Sequence, residues 1–194
     1  MGIIEYLSVL VSILIGLSIA DIVTSFHKLM RNRKRVVWDW ISPVLAITML
    51  LQVLGFWWIW MEIYAGRPSV SLAYFIPDIV VFILLFLACA IVLPDEFQTT
   101  KLDLREYYWS TVPYFWIVFL IMGLVFMIFI TPRFYQDSDI ETIVLSNIPN
   151  IVLNIGVVVM ILWRNKWVHM SFIGLLFAYS VVIQLASVIN GPSG

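Results

Sequence analysis

Residues 3–28 read IIEYLSVLVSILIGLSIADIVTSFHK, and that stretch decides the fold. At 1.5 Å per helical residue it is long enough to cross a hydrocarbon layer of about 30 Å. One carboxylate, Asp21, interrupts the apolar run, and a basic cluster of Lys28, Arg31, Arg33, Lys34 and Arg35 follows it. A span, an acid inside it and a charged flank are therefore all present at the start of the chain.

Five more runs of the same kind follow the first (about 3–27), at about 40–65, 71–93, 107–131, 141–163 and 168–189. The chain is 62% hydrophobic and only 12% charged, with a mean hydropathy of +1.01. Soluble domains carry roughly 25% charged residues, so a water-soluble globule is excluded. Membrane-spanning strands alternate over about 10 residues, whereas these runs are continuous over about 20, so a β-barrel is excluded as well. The expected fold is an all-α membrane protein, a bundle of six transmembrane helices joined by short loops. It forms a single domain over residues 1–190, and Gly191–Gly194 reads as a disordered end or an expression scar.

The single cysteine, Cys89, lies in an apolar run and offers no intramolecular disulfide. No cleavable signal peptide is expected, since the first apolar run is too long and has no basic region before it. The loops after the first, third and fifth runs hold nine of the eleven Lys and Arg residues. The positive-inside rule therefore places those loops in the cytoplasm and both termini outside. Trp38, Trp40, Trp109, Trp163 and Trp167 read as an aromatic belt at the cytoplasmic interface. Trp57, Trp58, Trp60, Tyr64 and Tyr135 read as its outer counterpart. Asp103-Leu-Arg-Glu106 and Ser138-Asp-Ile-Glu141 fit the capping box and are expected to start the fourth and fifth helices. The two halves of the chain share no matched motif that would mark an inverted repeat.

An acid inside a span is paired or faces a cavity, because leaving it in lipid costs a few kcal/mol. At 100° per residue Ser18, Asp21, Ser25 and Lys28 share one helix face. Asp21 is thus either a proton or cation site, or a packing acid paired with Lys28 or a neighbouring arginine. Glu5, Ser8, Ser12 and Gly16 form a second face with small residues, expected to pack against another helix. Asp78 follows Pro77 in the third run, which suggests either a broken helix with a site or a kink with a hydrated carboxylate.

Asn147, Asn150 and Asn154 have helical spacing and form one stripe on the fifth run, and Ser180, Gln184 and Ser187 on the sixth offer a candidate partner stripe that would make a polar seam if the two meet. Such stripes act as interhelical glue at about 0.6 kcal/mol per bond, or they line a pocket for a small polar ligand. His27 and His169 both fall near the cytoplasmic interface, and a haem pair is the weakest of these candidate sites. No nucleophile elbow, phosphate loop or zinc motif is present, so the chain is expected to be no enzyme and to use no metal or cofactor. Lys28, Arg31, Arg33, Lys34 and Arg35 are expected to touch anionic lipid, at about 1 kcal/mol per cation.

EYLSVLVSILIGLSIAD with its basic flank, VVWDW, FWWIW, LPDEF and LDLREYY together resemble a group of small multi-pass bacterial inner-membrane proteins of no known function. The resemblance runs over about 3–115. It implies six spans and a bacterial plasma membrane, and it transfers no activity to Asp21, Asp95 or Asp103. It does draw attention to the loop from Leu93 to Tyr108 as a candidate docking surface.

Two functions remain in view. The first is a non-enzymatic membrane subunit, sensor, or partner- or lipid-binding module. The second is a small transporter or channel for a proton, ion or polar solute, built on Asp21, Asp78 and the asparagine stripe. The expected partners are membrane lipids and either a second copy of the chain or a membrane subunit, with no nucleic acid. An intramembrane enzyme acting on lipid or quinone is disfavoured, because Asp21 and Asp78 lie towards opposite surfaces.

Overall fold

The computed structural model describes residues 3–65, 67, 69–95, 101–135 and 139–189. Six long helices make up the architecture, all of them apolar and long enough to cross a membrane. They are α1 (Ile3–Arg31), α2 (Ile41–Tyr64), α3 (Leu72–Val92), α4 (Leu104–Val125), α5 (Ile140–Leu162) and α6 (Lys166–Ile189). The expected six-helix bundle is borne out. The expected end at Gly191–Gly194 lies outside the described residues, as does Ser138.

Between apolar tails and apolar side chains no hydrophobic force pulls helices together, so close packing and buried hydrogen bonds hold the bundle. Its centre is α2, α3 and α4. Helix α1 leans on α3, α5 runs along α4, and α6 runs along α2. Trp116 and Phe75 are among the largest fully buried side chains, and Met49, Leu85 and Met122 are fully buried with them. Helix α1 buries Val11, Ser18, Ile22, Ser25 and Leu29. The small-residue face read from the sequence points away from the bundle: Ser12 is exposed, and a methyl group placed on Gly16 would meet nothing.

Asp103 accepts from the backbone N–H groups of Arg105 and Glu106 and sets the start of α4 at Leu104, earlier than the apolar run suggests. Helix α5 is capped by Asp139 rather than Ser138, through a bond from the Thr142 N–H. Helix α4 does not stop cleanly. It continues as a π-helical turn, Phe126–Ile130, and then a 3-10 turn, Thr131–Tyr135. Pro77, Pro113 and Pro149 all sit inside continuous helices, so the third helix is not broken at Pro77. Proline deprives the carbonyl four residues earlier of its helical donor. For Pro113 that carbonyl belongs to Trp109, and Arg164 donates to it instead.

The loops after α1, α3 and α5 meet at one end. Two residues of each of the first two pair as parallel strands, β1 (Val36–Val37) against β2 (Leu102–Asp103). Lys28 Nζ reaches Asp95 at 3.5 Å, and Lys166 Nζ reaches Asp39 at 3.4 Å. Asp39 also accepts from the Ile41 N–H at the start of α2. Arg31, Arg33, Lys34 and Arg35 are exposed at this end.

The aromatic belts are only partly as expected. Trp38, Trp40, Trp163 and Trp167 are exposed at one end, and Trp57 and Trp58 towards the other. Trp60 and Tyr64 instead stack on each other in the core, at 4.8 Å between ring centroids. Trp109 lies 4.8 Å from the His169 ring.

Candidate functional site

The asparagine stripe and part of its proposed partner stripe face the same space. Asn150 and Asn154 from α5, and Ser180 and Gln184 from α6, line a cavity of about 130 Å³ that α2 and α4 close from behind. Helices α5 and α6 touch each other little, so the seam between them is the loosest wall. Asn147 lies just outside the lining and supports it: its Nδ2 donates to the Ile143 carbonyl, and its Oδ1 accepts from Asn150 Nδ2 at 3.4 Å.

The stripe works because glycines on the facing helices make room for the amides. A methyl group built on Gly123 of α4 falls 2.6 Å from Asn154 Oδ1. One built on Gly55 of α2 falls 3.0 Å from Gln184 Nε2, and that nitrogen donates to the Leu51 carbonyl at 2.7 Å. Any larger residue at either position displaces a polar side chain of the cavity. The π-helical turn adds a further link. Thr131 donates across it to the Phe126 carbonyl, five residues back, and accepts from Asn150 Nδ2 at 3.3 Å. Turns of this kind cluster at functional sites because they re-aim side chains. Phe126, the first residue of that turn, forms part of the cavity wall.

Gln52 was not singled out from the sequence, yet it lines the cavity and donates to Ser180 Oγ at 3.2 Å. Its signal was available: it is an amide in the middle of an apolar span, three residues before a glycine. The roles of Gly55, Gly123 and Thr131 depend on contacts between helices that no single helix reveals.

The two acids are not part of this cavity. Asp78 is closed into a clasp of three elements. Its Oδ2 accepts from Arg133 Nη1 at 2.7 Å and from the Tyr64 hydroxyl at 2.8 Å. Arg133 also donates to the Tyr74 carbonyl at 2.6 Å and lies 3.9 Å from the centre of the Tyr74 ring. Asp78 is therefore a buried, paired carboxylate and not the hydrated one considered for a kinked helix.

Of the two readings of Asp21, the pair with Lys28 does not form, because Lys28 is engaged elsewhere. Lys28 turns to Asp95, and Ser25 donates to Asp95 Oδ1. Asp21 Oδ2 is enclosed and accepts no hydrogen bond among the described residues.

The two histidines do not form a matched pair. His27 is exposed, whereas His169 is fully buried. His169 Nε2 faces the Trp163 carbonyl, which only accepts, so Nε2 carries the proton. Nδ1 then accepts from the Tyr108 hydroxyl at 2.6 Å, and Trp116 Nε1 in turn donates to that hydroxyl. Both ring nitrogens are engaged, which leaves neither for an axial bond to haem. Among the described residues no group of His, Cys, Asp and Glu has the makings of a metal site.

Comparison with models of known protein families, with curated protein sequences and with solved structures finds no match.

Proposed function

We propose that the chain is a non-enzymatic, multi-pass membrane module that holds a small molecule between α2, α4, α5 and α6, as a sensor, a lipid- or partner-binding protein or a membrane subunit. The observation that carries this reading is the convergence of amides from three helices on one cavity, with glycines placed to admit them. Glue alone needs no cavity, since amides that only join helices close the gap between them. The distribution of Lys and Arg supports an orientation with both termini outside the cytoplasm. The resemblance to bacterial inner-membrane proteins supports that membrane as the location, and the exposed Arg31, Arg33, Lys34 and Arg35 suit anionic headgroups.

Native mass spectrometry of protein extracted in mild detergent tests this reading without knowledge of the ligand. The wild type is expected to carry a defined small mass, and Leu153→Trp, which fills the cavity, is expected to lose it. A bare protein in both cases contradicts the proposal.

One observation favours a second reading, a small transporter or channel. Asp21 presents an enclosed oxygen with no partner among the described residues, which suits a site that takes up a proton or cation in passing. Under that reading Asp21→Asn abolishes proton-coupled flux in proteoliposomes while the fold is retained. Unchanged flux, or none in the wild type, removes it.

A further inference from the structure

The hydrogen bonds of the cavity can be followed atom by atom, and they leave it rich in acceptors. Ser180 gives its only proton to the Leu176 carbonyl at 2.7 Å, so its oxygen accepts from Gln52 Nε2. That fixes the amide of Gln52, with its Oε1 left over. Asn154 Nδ2 donates to the Asn150 backbone carbonyl at 2.8 Å, which fixes the Asn154 amide in the same way. Asn147 Nδ2 is engaged with the Ile143 carbonyl, so Asn147 offers Oδ1 to Asn150. Asn150 Nδ2 then divides its two protons between Asn147 Oδ1 and Thr131 Oγ1.

Three amide oxygens therefore receive no proton from any described residue: Gln52 Oε1, Asn150 Oδ1 and Asn154 Oδ1. All three belong to side chains that line the same cavity.

The rest of the lining restricts the ligand further. No charged residue is among it, and the walls are mainly Phe, Leu, Ile and Met. An ion held there has no counter-charge, and burying an unpaired charge is far more costly than burying a dipole. An enclosed apolar cavity of about 150 Å³ holds a benzene ring, so the space of about 130 Å³ suits a molecule of roughly that size.

Resting on the reading of this cavity as a ligand site, we propose that it takes a neutral hydrogen-bond donor, a hydroxyl group on a small apolar or aliphatic body. The hydroxyl meets the amide oxygens and the body fills the Phe56–Phe126 side. The loose seam between α5 and α6 is the entrance.

Phenol and anisole differ in this one donor and are otherwise close in shape. Their binding to the full chain in lipid nanodiscs is read by saturation-transfer NMR. The wild type is expected to bind phenol about five- to tenfold more tightly than anisole, the effect of one hydrogen bond. Gln52→Met and Asn150→Leu are each expected to reduce that ratio towards one. Partitioning into the bilayer is common to all variants, so the change in ratio reads the site, and thermal unfolding of each variant verifies its fold.

Equal binding of phenol and anisole by the wild type overturns the donor proposal while the cavity stands as a ligand site. No binding of either overturns the cavity reading and the proposal with it. A phenol preference that survives in both folded variants overturns the assignment to these oxygens. Displacement of phenol by 1-butanol supports the proposal with an aqueous source, and displacement by a long-chain fatty alcohol, whose tail leaves through the α5–α6 seam, supports it with the bilayer as source.

Discussion

Asp21 and Asp78 are both acids inside apolar helices, and their surroundings give them opposite fates. Asp78 Oδ2 is held by Arg133 and Tyr64, with both members of the ion pair almost fully buried. Removing one partner leaves an uncompensated charge, so Asp78→Asn is expected to cost roughly 3 kcal/mol or more in thermal unfolding. Replacing both charges with apolar groups of similar size, as in Asp78→Leu with Arg133→Met, is expected to recover most of that loss.

Asp21 Oδ2 accepts no hydrogen bond among the described residues, so Asp21→Asn is expected to leave the midpoint within a few degrees of wild type. A loss as large as that of Asp78→Asn would mean that Asp21 has a partner. The sequence shows both acids but not their difference. The nearest cation to Asp21 along the helix is Lys28, and only the loop after α3 brings Asp95 within Lys28's reach. Residue spacing within one helix carries no information about a competing partner from another.

At the scale of the helix, the sequence was most legible where backbone chemistry is local. All six spans follow from apolar run length, and the Asp103 cap is written in the sequence that starts α4. The second cap is displaced by one residue, because Ser138 and Asp139 are both competent caps and the pattern alone does not choose between them. Asp139 is held below the usual carboxylate range by its bonds from Thr142. A lowered value means that the cap is fully present above the ordinary carboxylate pKa and is lost as pH falls through the lowered one. Protection of the Thr142 amide from hydrogen exchange is expected to decline only in that acid window, and Asp139→Asn is expected to remove the pH dependence.

The π-helical turn and the α5–α6 crossing were not legible at all. A methyl group on Gly156 would lie 2.2 Å from the Phe172 ring, so this glycine sets how closely α5 meets α6. Gly156→Ala is expected to lower thermal stability, and Phe172→Leu in the same chain to restore part of it. Destabilisation that persists unchanged in the double variant would place the strain elsewhere.

Across the whole molecule, polar chemistry divides between the two ends and the cavity. One end is laced by β1–β2, Lys28–Asp95 and Lys166–Asp39 and exposes Arg33, Lys34 and Arg35. Trypsin is expected to cut there only in sealed vesicles whose cytoplasmic face is outward, and cutting in the opposite orientation would reverse the topology. The Asp78–Arg133 clasp fastens α2 and α3 to the turn after α4. The cavity lies where α5 and α6 diverge, and no reading of either stripe alone shows that a gap, and not a contact, separates them.

The central claim is that this gap, lined by amide oxygens without a donor among the described residues, admits water and small molecules, and the reactivity of a cysteine placed in it tests this most directly. Cys89 is buried and gives a low background. Ser180→Cys places a thiol in the cavity wall, and Val182→Cys places one on the outer, lipid-facing side of the same helix. Maleimides react with a thiolate, which requires water. In intact membranes Ser180→Cys is expected to react with N-ethylmaleimide and Val182→Cys to remain unlabelled. An inert Ser180→Cys in a folded protein would mean that the two polar stripes form a dry seam, and the account of a ligand cavity would be wrong.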